Sequence, residues 1–204
     1  DSMLFHLPLA GSTFKKVYYD DLLGRAVSKF VPADDLVVPY SATSLDDADA
    51  IMHVLKMSEN DLRKQQVGGF YSDVELGAPS IIKNEVDSKE RELEGTKKTG
   101  RPETVYTLLE CHINLDLEGF EDKDANGEPT GIKLPYIVTV DEGSRKVLSI
   151  RRNFNPEDPR KARIPYFVHF KFLPGLGFYG FGLIHMIGGL SRTATVALRQ
   201  LLDA

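Results

Sequence analysis

The stretch that most restricts how this 204-residue chain can fold runs Leu173-Pro174-Gly175-Leu176-Gly177-Phe178-Tyr179-Gly180-Phe181-Gly182. Glycine this dense removes the side-chain contacts that support a helix or a strand, and Pro174 cannot lie inside a helix. Phe178, Tyr179 and Phe181 are therefore large apolar groups that regular secondary structure does not shelter. Such side chains must dock on a neighbouring surface, either within the same chain as a core plug or on another lobe or subunit. All three are candidates for lobe or subunit packing.

No charge occurs from Leu173 to Ser191, which invites a membrane-spanning reading. Pro174-Gly175-Leu176-Gly177 would break such a helix near its start, and lipid cannot satisfy the freed backbone groups. Arg192 and Arg199 occupy the second half of what remains, so no membrane span is expected. The same segment fits G-x-G-x-x-G between a predicted strand and a predicted helix, the setting of a dinucleotide site. No second parallel strand follows, the intervening residues are bulky, and only Asp203 could fill the acidic ribose-binding role. A nucleotide-binding enzyme using Gly175 to Gly182 stays an alternative on a weak motif.

Hydrophobic residues make up 42% and charged residues 27%, the proportions of an ordinary globular chain. A net charge of −5 excludes a protein that clings to nucleic acid over its whole surface, leaving only local patches. The single cysteine excludes a disulfide framework and a cysteine-rich zinc site. The first residues show no secretory signal pattern. The chain stops inside a helical pattern at Arg199-Gln200-Leu201-Leu202, so a segment of a longer polypeptide is expected.

Along the chain, Phe14–Tyr19 and Val27–Val31 read as strands around a turn at Asp20–Gly24, and Leu36–Tyr40 as a short strand ended by Pro39. Ile51, His53, Leu55 and Met57 share one face at period two, predicting a strand over Ala50–Met57. Ser58, with Asp61 three residues on, caps a predicted helix that stops at Gly68. Ser80–Glu94 reads as a surface helix and Gly95–Pro102 as a linker. Val105, Leu109, Cys111, Ile113, Leu115 and Leu117 alternate as one buried face of a long strand. Glu118–Gly131 is an acidic loop, and Ile132–Val140 pairs with Lys146–Arg151 as a hairpin. Ile164–Phe172 is a last strand and Leu183–Leu202 a last helix. The fold class is α+β, mostly antiparallel strands with a few helices and a long C-terminal helix.

No catalytic constellation is visible. Cys111 and His112 are neighbours on a strand and point to opposite faces, so they cannot act as a nucleophile–base pair. The five histidines lack metal-binding spacing. Asp122–Gly127 begins like a calcium loop, but the position that must supply a bidentate Glu is Lys133. No metal and no cofactor are expected. Gly143–Arg163 holds seven basic residues against Glu157 and Asp158, whereas Glu118–Gly131 holds five acidic residues against Lys123. Opposite charge at neighbouring ends of a hairpin suits head-to-tail packing around a ring, or else two solvated loops.

Three segments carry a resemblance. Ile164-Pro165-Tyr166-Phe167-Val168-His169-Phe170-Lys171-Phe172-Leu173-Pro174-Gly175-Leu176-Gly177-Phe178-Tyr179-Gly180-Phe181-Gly182, running into the helix that ends Leu198-Arg199-Gln200-Leu201-Leu202-Asp203-Ala204, resembles the portal protein of tailed bacteriophages of the short-tailed type. Phe30-Val31-Pro32-Ala33-Asp34-Asp35-Leu36-Val37-Val38-Pro39-Tyr40 and Met52-His53-Val54-Leu55-Lys56-Met57-Ser58-Glu59-Asn60-Asp61-Leu62-Arg63 resemble the same proteins. The resemblance implies a non-enzymatic subunit of a homo-oligomeric ring, usually of twelve copies. That ring forms one vertex of the virion, is made in the host bacterial cytoplasm, and passes double-stranded DNA without reading its sequence. The implied partners are the terminase motor, the capsid, and head-completion and tail proteins. By position it implies a wing-like lobe over 1–102, a clip- or wing-like β-rich region over 103–172, and the loop with a stem-like helix over 173–204. Lys171, Arg192 and Arg199 become candidates for channel electrostatics. A channel must avoid tight phosphate contacts that would stall sliding, which suits an acidic chain with scattered arginines.

Overall fold

The computed structural model describes residues 2–20, 24–77, 79–81, 104–124 and 126–202. In chain order the elements are α1 (Ser2–Ala10), β1 (Ser12–Asp20), β2 (Arg25–Pro32), a 3-10 turn (Ala33–Asp35), β3 (Leu36–Val37), β4 (Ala50–Ser58), α2 (Glu59–Val67), β5 (Ser80–Ile81), β6 (Thr104–Leu115), β7 (Leu134–Asp141), β8 (Val147–Arg152), β9 (Phe167–Lys171) and α3 (Leu183–Leu202). The chain is α+β, with its long helix last. It divides into two units, Asp1–Ile51 with Arg163–Ala204, and Met52–Ala162. This partition differs from the three consecutive regions read along the sequence, because β9 returns to pair with β1 and draws the two ends of the chain into one unit.

The first unit is built on a three-stranded antiparallel sheet in the order β2-β1-β9. The β-branched and aromatic residues of β1 and β2 place Phe14 opposite Val31, and Asp20 opposite Arg25 at the hairpin end. Residues 21–23 of the expected turn lie outside the described residues. Across the other edge Phe14 faces His169. Phe14, Val31, Leu36, Ala42, Ala48, Ile51, Phe167 and Phe178 form the buried core. Arg163 fastens the 45–48 turn to this core, donating to Ala48 O at 2.8 Å and Leu45 O at 2.6 Å. The sequence reading passed over α1, a short helix that contains Pro8.

In the second unit β4, β6, β7 and β8 follow one another in the sheet, with β5 on the flank of β6. β7 and β8 form the expected antiparallel hairpin. Asp141 Oδ2 holds its turn, accepting from Ser144 N at 2.7 Å and Ser144 Oγ at 2.6 Å. Ser58 caps α2 as its spacing predicts, with Oγ accepting from Asp61 N at 3.2 Å. Gly69 supplies the left-handed φ of 75° just after that helix. Ser80–Ile81 pairs with β6 instead of opening a helix; the remainder of the expected helix and the expected linker lie outside the described residues.

The alternation along β6 locates only one of its two covered faces. Leu109, Cys111 and Ile113 are half-buried on the side of Leu134, Tyr136, Val138 and Phe154. Leu108, Glu110 and His112 on the opposite side are buried more completely, beneath Leu62 of α2 and Tyr71. Two polar residues hid this face from a hydrophobicity pattern, because their burial depends on partners that are remote in sequence.

Candidate functional site

The glycine-aromatic loop is closed at its neck by Leu173 and Phe181, which pair through Phe181 N to Leu173 O at 2.8 Å and Leu173 N to Phe181 O at 3.2 Å. Between them Phe178 turns inward. Its ring stacks on His169 with centroids 4.7 Å apart and on Phe14 at 5.9 Å, and only 6% of the residue is exposed. Phe178 thus fills the core of its own unit. Tyr179 donates to Leu36 O at 3.1 Å but remains 45% exposed, and Phe181 remains 48% exposed beside the His185 ring.

Glycine is required here because backbone meets backbone. A Cβ on Gly180 would lie 2.6 Å from Gly11 O, and one on Gly182 would lie 2.3 Å from Leu9 O. Gly11 itself carries a φ of 87° and would bring a Cβ within 2.4 Å of Gly182 N. The loop is therefore pressed onto the corner between α1 and β1. Ser12 Oγ accepts from Gly180 N at 2.8 Å and shares a hydrogen bond with His169 Nε2 at 3.1 Å. Burial, and then the charge of Lys171, push the His169 pKa down to about 4, which keeps the ring neutral in this stack. The sequence carries no local sign of how Gly11, Ser12 and His169 are used, since Ser12 meets His169 and Gly180, and Gly11 meets Gly182, each more than 150 residues away.

Three successive amides at the end of the loop are engaged within the chain. Gly180 N donates to Ser12, Phe181 N to Leu173, and Gly182 N to His185 Nδ1 at 3.0 Å, where it caps the start of α3.

α3 contrasts with the loop that launches it. None of its 20 residues is buried. Leu183, Ile187, Leu190, Ala194, Leu198 and Leu201 recur at helical spacing along one side, with Leu190 73%, Leu198 62% and Leu201 75% exposed. Arg192 and Arg199, seven residues apart, share the opposite side of the helix. Lys171, the last residue of β9, reaches over the loop, its Nζ approaching Gly177 O at 3.5 Å. Leu4 and Phe5 of α1 add exposed apolar surface, 74% and 69% exposed, on a helix that touches α3.

In the second unit, the acidic loop and the basic segment meet inside one chain. Lys161 pairs with Asp122, which also accepts from Thr130 Oγ1 at 2.7 Å. Lys161 foremost, with Thr130, holds the Asp122 carboxyl below its ordinary range. The Arg152 guanidinium lies over the Phe120 ring, 6.0 Å from its centroid. Part of the charge complementarity that suggested contact between subunits is thus satisfied within the chain. In the calcium-like segment Asp124 Oδ1 accepts from Asn126 N at 2.8 Å and Glu128 N at 2.9 Å, turning its carboxylate onto its own backbone. Among the described residues no group of three His, Cys, Asp or Glu is placed to hold a metal ion.

Cys111 and His112 do face opposite sides of β6, and burial, reinforced by the Glu110 charge, raises the Cys111 pKa. His112 Nε2 instead lies 2.9 Å from Glu110 Oε1. A cleft of about 550 Å³ opens beside α2 over Leu62 and Tyr106, its mouth crossed by the Arg63–Asp73 ion pair at 2.5 Å. Among the described residues no helix is long and apolar enough to cross a membrane. No known protein family and no curated protein matches the chain.

Proposed function

We propose that this chain is part of a portal subunit, a non-enzymatic component of a ring at one vertex of a tailed-phage head through which DNA enters and leaves. The observation that carries this reading is α3, a helix of 20 residues with a continuous apolar side and no buried residue. At 1.5 Å per residue it spans about 30 Å. A helix of this kind gains most of its stability from packing its apolar side, so α3 is suited to neighbours in addition to α1.

A ring supplies such neighbours by repetition, each helix lying against the next around an axis. Arg192 and Arg199 would then stand on the side turned away from the packed seam, with Lys171 at the base of the helix. Scattered cations of this sort suit passage of a phosphate backbone without stalling it. Tyr179 and Phe181, half exposed beside the start of α3, would extend the packing surface, while Phe178 keeps the loop rigid from within. The partners in this reading are further copies of the subunit, the packaging motor, the capsid, and head-completion and tail proteins.

Negative-stain microscopy of the full-length polypeptide tests the reading. Closed rings with a central hole are expected. Solitary particles at every concentration would refute it.

A further inference from the structure

Assembly leaves the buried polar node of the second unit unexplained. Glu110 and His112, on the covered face of β6, are only 4% and 2% exposed. Glu110 Oε1 lies 2.9 Å from His112 Nε2 and 3.9 Å from His53 Nδ1, which reaches in from β4. Thr139 of β7 stands opposite Glu110, and Arg151 of β8 lies in the row of His112, beyond Ile137. Tyr71 completes the surroundings; burial foremost, then the Glu110 charge, push its hydroxyl up to about 12, against the opposing pull of Arg151. On the far side of the imidazole Asn153, fully buried, places Nδ2 3.4 Å from His112 Nδ1, and its Oδ1 has no partner among the described residues.

That last contact is long for an N–H donor, and it strands a buried oxygen, which costs free energy. A half-turn of the Asn153 amide exchanges two atoms of nearly the same size and sets the oxygen against the ring. The oxygen then needs a proton on Nδ1 to accept. Nε2 already faces a carboxylate removed from water, which needs a donor or a counter-charge of its own.

We propose that His112 is held as an imidazolium inside the second unit, donating from Nε2 to Glu110 and from Nδ1 to the Asn153 amide oxygen, so that removal of this one proton loosens the sheet. Glu110 and His112 bind that proton as a coupled pair, with the amide fixing it on the imidazole. Losing it leaves a carboxylate in the core with its His112 donor weakened, and weakening a buried pair of this kind is destabilising. The unit is in this sense a pH-sensitive element, most secure on the acidic side of neutrality.

Long-range proton–nitrogen correlation spectra of the 204-residue chain, assigned through the His112 backbone, test this directly. At neutral pH, above the ordinary histidine value of about 6.5, both ring nitrogens of His112 are expected to be of the protonated type. One protonated and one bare nitrogen at neutral pH would overturn the proposal. Glu110→Gln provides a second measurement. A histidine whose pKa folding raises contributes stability that is fully present below its unfolded pKa and is lost as pH rises through its folded pKa. The thermal midpoint of the wild type should therefore fall more steeply than that of Glu110→Gln as pH rises above the ordinary histidine value of about 6.5. Parallel slopes would also overturn it, and if Glu110→Gln does not fold, the wild-type ring spectrum decides alone. Neither outcome depends on whether the protein forms rings.

Discussion

The ten residues before Leu183 and the twenty that follow it behave in opposite ways. The loop lacks regular structure, yet its position is dictated by glycines that fit against Leu9 and Gly11 and by Phe178 in the core. The helix is regular throughout, yet none of its residues is buried, although α1 touches it. Regularity and tertiary anchoring are separate properties, and here they are divided between adjacent segments. The loop is anchored within the chain, whereas the helix, in the ring reading, would be completed by a neighbouring subunit. Substitutions in the two should consequently change different observables.

The largest effect should come from Gly182→Val. Its branched side chain would be forced into Leu9 O and Gly11 N, backbone atoms that cannot move aside, with an expected loss of about 3 kcal/mol or more in urea unfolding. Gly177→Ala, where a Cβ meets nothing within 4 Å, should stay within about 0.5 kcal/mol of wild type. Equal losses from the two would mean that glycine serves the loop by flexibility and not by close approach.

Phe178→Ala should cost about 3–5 kcal/mol, the range for removing a buried aromatic from a packed core. Tyr179→Phe removes only the hydrogen bond to Leu36 O and should cost about 1 kcal/mol. A fall in ring yield without loss of monomer stability in Phe178→Ala would shift this side chain from core filler to subunit contact.

On the helix the expectation reverses. Leu190→Asp should leave unfolding of the 204-residue chain unchanged within about 0.5 kcal/mol, since Leu190 is 73% exposed, and should abolish assembly of the full-length polypeptide. A large loss of monomer stability would place α3 against its own unit in solution.

The smallest effect concerns His169. Its folded pKa of about 4 lies below the ordinary value of 6.5, so between these values the unfolded chain binds a proton that the folded ring refuses. Stability of the first unit should decline as pH falls through that window, and nuclear magnetic resonance should show the His169 ring still neutral at about pH 5.5. A ring already charged there would mean that water reaches the stack with Phe14 and Phe178.

How much of this could be read beforehand follows the same division. Strands β1, β2, β4 and β6 to β9 and helices α2 and α3 were legible because their signals are local: alternation, a Ser58 cap, a turn at Asp141. α1 was not, because Pro8 lies within its nine residues and no apolar periodicity singles it out. The covered face of β6 was missed because Glu110 and His112 read as polar until each other and Asn153 are placed. Phe178, Tyr179 and Phe181 were visible as a group needing shelter, but their separate fates were not. Phe178 goes inward because Ser12 and Gly11, at the other end of the chain, receive the loop. Sequence separation, more than chemistry, set the limit.

The most direct measurement is sedimentation of the full-length polypeptide compared with its Leu190→Asp/Leu198→Asp variant. If α3 is the seam of a ring, the wild type sediments as one large closed species and the variant as a folded monomer. Identical sedimentation of the two, whether both large or both monomeric, would contradict the assignment of that helix to assembly.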